Sequence, residues 1–235
     1  MPANSSLNRY LLKIGGWSAI LSGIFFVVVT IYIFGVLGSF GFVPEMFDDH
    51  TLLHPWVAEH TRLYQISWLF YFLTQLFLLP VPLTLAHYFG GGDEKQIALA
   101  KLSKLLGTAS VTIAIISPVI FYAITPITAE AYVEFSGQVE AQSLTIIISE
   151  LLTDIPKEIR LFSEVILGIW LTIVGYLFLD ANRSRVVGWL VLAMGVWTLF
   201  VVILKIFNPF TPLEDFLGLL LAISYLFIGV HLLRT

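Results

Sequence analysis

Long apolar runs separated by short polar breaks set the pattern of this chain. They cover residues 14–37, 63–89, 102–124, 157–180, 186–207 and 212–233. Each holds about 20 or more mostly apolar residues, enough to cross a hydrocarbon core roughly 30 Å thick. The breaks carry turn chemistry: Gly38-Ser39-Phe40-Gly41, the run Gly90-Gly91-Gly92, and the charged turn from Asp180 to Arg185. The pattern predicts an all-α, polytopic transmembrane bundle of about six helices, forming one domain over residues 1–235. Pro80, Pro82 and Pro118 fall inside apolar runs. Each proline removes a backbone donor and frees a carbonyl one turn earlier, so kinks are expected there. With a turn centred near residue 96, Ser110, Thr112 and Ser117 would lie beside Pro82, Pro80 and Gln75 and satisfy the freed carbonyls.

One segment departs from this pattern. Leu144, Ile147, Ile148, Leu151, Leu152 and Ile155 recur at helical spacing and form one apolar face on a stretch too short to span. Ser143, Glu150, Thr153 and Asp154 make the opposite face acidic, whereas a helix gripping anionic lipid is basic there. The expectation is a separate outer amphipathic helix, divided from the fourth span by Pro156 and lying over the bundle. Small residues point to close helix packing. Gly168 and Gly175 on the fourth span, and Gly188 and Gly195 on the fifth, are each seven apart, and the sums of facing indices agree. An antiparallel hairpin therefore puts Gly168 opposite Gly195 and Gly175 opposite Gly188, a close-approach seam. Ser18/Ser22 and Ala19/Gly23 give the first span a similar face. Thr211-Pro212-Leu213-Glu214 reads as a capping box opening the last helix.

Composition sharpens the class. The chain is 58% hydrophobic and 12% charged, with a mean hydropathy of +0.91; a soluble domain carries about 25% charged residues. Without cysteine there are no disulfides, thiolate chemistry or iron–sulfur ligands. A net charge of −4 argues against nucleic acid as a partner. With the N-terminus inside, eight Lys/Arg fall on the inner side and four on the outer. The positive-inside rule then puts both termini in the cytoplasm. Thirteen of the sixteen carboxylates fall on the outer side, making that surface acidic.

Candidate chemistry is sparse. Glu164 lies about one turn inside an apolar span, where a carboxylate needs a partner. Arg160 is one turn away on the same face. Hairpin arithmetic sets Lys205 level with Glu158, so it is expected to pair with Glu158 or Asp154 and leave Glu164 to Arg160. With Arg62, these residues form a candidate outward ligand site: Glu164, Arg160, Lys205, Arg62 and Glu158. His50, His54 and His60 resemble part of a metal-ligand set. Pro55 disfavours helical geometry at His54, however, and the six-residue step to His60 turns it to another face. His87 and His231, near the inner helix ends, suit helix-dipole contacts; axial haem ligation is the alternative, which requires both rings to meet at one depth. Neither a metal nor a cofactor is expected.

The fourth and fifth spans carry Gly168, Gly175-Tyr176-Leu177, Arg183-Ser184-Arg185 and Gly188-Trp189-Leu190. These pieces resemble a bacterial family of uncharacterised six-helix integral membrane proteins, classed as a domain of unknown function. The resemblance implies an inner-membrane protein and brings no catalytic residues with it. The reading favoured is a non-enzymatic accessory subunit, or a binder of a lipid-like or small apolar ligand. A small-solute transporter with an outward polar cavity is one alternative, and a metal- or haem-dependent membrane enzyme the other. Membrane lipids, other membrane subunits or a second copy are the expected partners.

Overall fold

The computed structural model describes the backbone of residues 3–207 and 213–235, and the side chains of residues 8–207 and 217–235. Helix α1 (Ala3–Ile31) continues into a π-helical turn (Tyr32–Leu37). A 3-10 turn (Pro44–Asp48) leads to α2 (His50–Glu59), followed by α3 (Thr61–Leu78), α4 (Pro80–Phe89), α5 (Glu94–Glu134), α6 (Val139–Asp180), α7 (Arg185–Phe207) and α8 (Leu213–Arg234). No strand occurs among the described residues. Six helical stretches are long and apolar enough to cross a membrane, with α3 and α4 together making one. An even number of spans brings both termini to one end of the bundle, the termini end. The opposite end, with α2 and the α5–α6 turn, is the cap end. Tyr10, Trp17 and Trp189 are exposed at the termini end, as interfacial aromatic anchors are.

Three seams of small residues hold the bundle together. Between α6 and α7 the glycines face as their indices predict. A methyl group on Gly195 would collide with the backbone nitrogen of Thr172 and stand 2.8 Å from the Gly168 carbonyl oxygen. One on Gly175 would collide with the backbone nitrogen of Leu192, and one on Gly188 would stand 3.2 Å from the Gly175 carbonyl oxygen. A second seam joins α1 to α8. A methyl on Gly229 would lie 2.6 Å from the Gly16 carbonyl oxygen, and one on Gly23 2.9 Å from that of Ala222. The third seam lies on α5. Ala100, Ser103, Gly107, Ser110, Ala114 and Ser117, at alternating steps of three and four, are all buried. Ser110 Oγ donates to the Ser163 carbonyl of α6 at 3.0 Å, and the Trp170 indole donates to Ser103 Oγ at 3.0 Å. The space that a side chain at Gly107 would fill is taken by Trp170 and Pro82.

The prolines resolve differently from expectation. Helix α3 stops at Leu78, Leu79 caps it, and α4 begins at Pro80. Leu79 N–H reaches the Leu76 carbonyl at 3.3 Å, so a tightened turn satisfies a group the proline frees. The pairing of α3–α4 with α5 runs through Tyr64 with Thr125, Trp68 with Phe121 and Pro82 with Gly107. That register is offset by three from the expected one. Ser110 therefore serves α6, and Ser117 Oγ is buried without a hydrogen-bond partner among the described residues.

The amphipathic segment is helical but not separate. It forms the first part of α6, which runs unbroken through Pro156. Its orientation is also inverted. Thr145, Ser149 and Thr153 are buried, while Leu144, Ile147, Ile148, Leu151 and Ile155 are exposed, Leu151 at 64%. The side carrying Thr145, Ser149 and Thr153 turns inward because α2 and α5 meet it there with hydroxyls and a histidine, while Ser143, Glu150 and Asp154 stay exposed. Helix α6 has 42 residues, about 63 Å of helix, roughly twice a hydrocarbon core. In the glycine register Phe207 is level with Pro156, so residues 139–155 of α6 run on beyond the end of α7 as an arm. The α5–α6 turn closes at Gly137, whose φ of +86° suits glycine. The capping box proposed at Thr211–Glu214 lies outside the described residues.

Replacing Gly175 or Gly195 with alanine forces α6 and α7 apart, and overpacking of this kind costs about 1–3 kcal/mol. Either change is expected to lower the thermal unfolding midpoint in detergent. Gly35→Ala, where no atom lies within 4 Å of the added methyl, should leave it unchanged. Equal midpoints for all three variants would contradict the seam.

Candidate functional site

Two polar clusters occupy the cap half of the bundle. The first is charged. Glu164 on α6 is 7% exposed. It accepts a hydrogen bond from Arg160 Nε at 3.0 Å on one carboxylate oxygen and from Lys205 Nζ at 2.9 Å on the other. Arg160 also sits 5.7 Å from the ring centre of Tyr71 on α3. Each oxygen of the buried carboxylate thus has a charged donor, the condition under which a charge is tolerated at this depth. Arg160, Lys205 and Tyr71 have further interactions beyond these.

The Arg160–Glu164 pair matches the expectation, whereas Lys205 reaches Glu164 instead of Glu158 or Asp154. Side chains lean toward the N-terminus of their own helix. Lys205, near the C-terminus of α7, therefore leans down into the bundle, and Glu164, on antiparallel α6, leans up toward the cap end. The two meet across the roughly 9 Å that index arithmetic puts between their backbones. Glu158 and Arg62 are both exposed and stand outside this cluster in the described structure.

The second cluster is a set of hydroxyls around two histidines. The His50 ring lies 3.3 Å (Nδ1) from Ser149 Oγ and 3.2 Å (Nε2) from Thr153 Oγ1. Ser149 Oγ is 3.4 Å from Thr128 Oγ1, and Tyr64 donates to Thr125 Oγ1 at 3.1 Å nearby on α5. His54 is fully buried, and neither of its ring nitrogens has a hydrogen-bond partner among the described residues. Its ring is 5.1 Å from that of His50 and 5.4 Å from that of Tyr132, crossing both near a right angle. Burial holds the His54 imidazole neutral, pushing its pKa down to about 4, with the neighbouring His50 adding to the effect. Burial also lowers His50, and Lys157 lowers it further, against the opposing pull of Glu150, Asp154 and Asp49.

Helix α2 passes through Pro55, so His50 and His54 share a face, contrary to the expectation from X–Pro geometry. The carbonyl that Pro55 leaves without its donor is that of Thr51, an exposed residue in the first turn where water can serve it. The expected separation of His60 holds. Its ring stacks on Trp56 at 4.9 Å, and Nδ1 lies 3.1 Å from the Trp56 carbonyl oxygen. At the termini end, His87 and His231 do not converge. His87 Nε2 is 2.8 Å from Asn8 Oδ1, while His231 Nε2 is 3.1 Å from Tyr88 Oη in an aromatic cluster with Phe89 and Phe178. No group of three or more His, Cys, Asp or Glu able to hold a metal occurs among the described residues. The hydroxyl cluster was missed because Thr153 read with Ser143, Glu150 and Asp154 as the acidic face of a separate amphipathic helix, and Ser149 was not considered with it. The alternation of small residues at positions 100–117 was the available signal that α5 packs closely enough on α6 to bury that side.

Six apolar helical stretches and buried, mutually satisfied polar groups define a polytopic helical membrane protein. The chain belongs to a family described as a domain of unknown function (DUF4386), which matches residues 9–235. No curated protein and no solved structure matches it.

The carboxylate that Lys205 engages can be read from a double-mutant cycle. Glu164→Gln with Lys205→Met should show a coupling of about 1 kcal/mol or more in detergent unfolding. Glu158→Gln with Lys205→Met should show none. The reverse pattern would restore the pairing expected from the sequence.

Proposed function

We propose that the protein is a non-enzymatic membrane protein that binds a lipid-like apolar chain along the arm of α6. The observation that carries this reading is the inverted arm. Leu144, Ile148, Leu151 and Ile155 form an exposed apolar stripe that continues along the same face to Phe162 and Ile169. Beside the stripe, Glu140, Glu150, Asp154 and Glu158 are also exposed. Carboxylates are costly in hydrocarbon, so this flank belongs to water while the adjoining stripe calls for apolar cover. A chain extending from the bilayer along the face shared with Phe162 provides such cover. The solute-transport alternative has less to support it. Hollows lined by residues 138–141 and 58–63 are shallow and open, and neither touches Glu164, Arg160 or Lys205.

The setting proposed is a bacterial-type inner membrane with both termini cytoplasmic and the cap end outside, on the strength of the eight-to-four split of basic residues. Single cysteines introduced into this cysteine-free chain provide the check. A cysteine replacing Glu140 should react with an impermeant reagent added outside intact cells, and labelling from the cytoplasmic side alone would reverse the orientation. For the ligand, native mass spectrometry after detergent exchange should show a retained amphiphile. Leu151→Ser with Ile155→Ser should release it, and Ile203→Ser, on exposed α7 surface away from the stripe, should not. Retention of a polypeptide in its place would assign the stripe to a partner subunit, and equal retention by all variants would remove the site.

A further inference from the structure

We infer that the termini end holds one anionic phospholipid, its phosphate on Arg183 and Arg234 and an acyl chain along the outer face of α8. The site lies at the opposite end of the bundle from the arm of α6 and uses none of the arm's residues. Arg183 is set by the turn that ends α6. Asn182 adopts a φ of 48°. Arg183 N–H donates to the Phe178 carbonyl at 3.1 Å and Asn182 N–H to the Leu179 carbonyl at 3.1 Å, a Schellman arrangement. The backbone so fixed places the guanidinium 5.2 Å from the ring centre of Tyr88 on α4. A guanidinium over an aromatic face keeps its in-plane N–H donors free for an anion. Tyr88 Oη is in turn 3.1 Å from His231 Nε2 on α8, so the α6–α7 turn, α4 and α8 meet around one ring. Arg234, one turn beyond His231 on α8, is exposed.

The charges gathered there have no side-chain anion to balance them. Among the described residues neither Arg183 nor Arg234 is paired with a carboxylate. The acidic residues of this end are engaged around the start of α5. Asp93 accepts the Gln96 N–H, and Asp180 accepts from Lys95, Gln96 and Tyr176. Glu94 occupies the first turn of α5, where the helix dipole favours it. A phosphodiester supplies the missing anion in a geometry that arginine matches. The outer face of α8 supplies the track for a chain. Leu219, Ile223, Phe227 and Val230 are exposed, and Arg234 follows four residues after Val230. At about 100° per residue these five fall within a band of about 80°, with His231 about 40° from Phe227 at its edge. From Leu219 to Arg234 the helix rises about 22 Å, more than the roughly 15 Å of one leaflet. A free anion makes no use of this track, and a zwitterionic lipid brings its own cation up to two arginines. An anionic phospholipid satisfies both the track and the charge.

The test uses the full chain in an uncharged detergent. Phosphatidylglycerol and zwitterionic phosphatidylcholine with the same acyl chains are added in equal amounts, and native mass spectrometry counts the lipids retained. Wild type should keep one phosphatidylglycerol in preference to phosphatidylcholine. Arg183→Gln and Arg234→Gln should each weaken that retention about fivefold, the effect of one basic residue at a membrane surface. Arg62→Gln, the same loss of charge on an exposed residue at the cap end, should leave it unchanged. Leu151→Ser with Ile155→Ser should also leave it unchanged, which separates this site from the stripe on α6. Inorganic phosphate, an anion without a chain, should not displace the lipid. Equal retention of the two lipids by wild type would overturn the site. So would equal losses in Arg62→Gln and Arg183→Gln, which would leave only attraction to overall charge. Displacement by inorganic phosphate would assign the arginines to a free anion and refute the lipid.

Discussion

Close backbone approach between helices is the constraint on which the rest of this structure depends. Lipid tails are as apolar as leucine, so apolar area alone does not drive helices together in a bilayer, and contact must come from van der Waals fit. The α6–α7 and α1–α8 pairs achieve that fit where glycine faces a carbonyl oxygen, with 2.8 Å and 2.6 Å left for a methyl group at Gly195 and Gly229. The α5 seam does the same with alternating alanine, serine and glycine. These contacts fix the register of five helices, and the register decides which polar groups meet. The Ser110 and Ser103 hydroxyls sit at the level of Ser163 and Trp170 because Gly107 lets the Trp170 indole lie against α5.

Polar groups in the interior follow from that register. Glu164 faces inward because α6 presents its glycine side to α7, and a carboxylate one turn before Gly168 then shares the interface with Lys205. Lys205 spans the difference in depth because a lysine side chain is long and leans toward the start of its helix. A short side chain at position 205 would leave Glu164 with Arg160 as the only one of these two charged donors. Removing one partner of a buried ion pair costs about 3–5 kcal/mol, more than the pair contributes relative to apolar residues. The cluster therefore ties α6 to α7 specifically, and its presence alone does not argue for a solute site.

The all-helical fold, the number of long apolar helices and the glycine pairing were legible because length, hydropathy and small-residue spacing act within one helix or one hairpin. The pairing of Lys205, the partners of Ser110 and the direction of the arm were not. Each depends on a third element that index arithmetic along a hairpin does not contain. Leu144–Ile155 has a strong helical period, and in water its apolar side would turn inward. Here α2 and α5 bring His50 and Thr128 to the other side, so the hydroxyls of Ser149 and Thr153 are satisfied within the protein. Proline was misleading in the same way. Pro156 lies within an unbroken α6 and Pro55 within α2, whereas Pro80 ends α3, because what matters is whether a freed carbonyl finds water, a hydroxyl or a tightened turn.

The inverted arm links the two ends of this argument. A helix that buries hydroxyls and exposes leucine and isoleucine gains little from the hydrophobic effect in water. It is stable where its outer face meets hydrocarbon and its inner face meets donors and acceptors, as in a bilayer span. Residues 139–155 keep that span-like pattern beyond the level at which α7 ends, beside carboxylates that need water. The arm thus carries the rules of the membrane interior into a region where one side is aqueous. An exposed apolar stripe of that kind calls for apolar cover. The same inward polar face, closed by α2, is what leaves His50 and His54 buried side by side. The exposed stripe and the buried histidine pair both come from one choice in the sequence: serine and threonine, rather than leucine, at positions 145, 149 and 153.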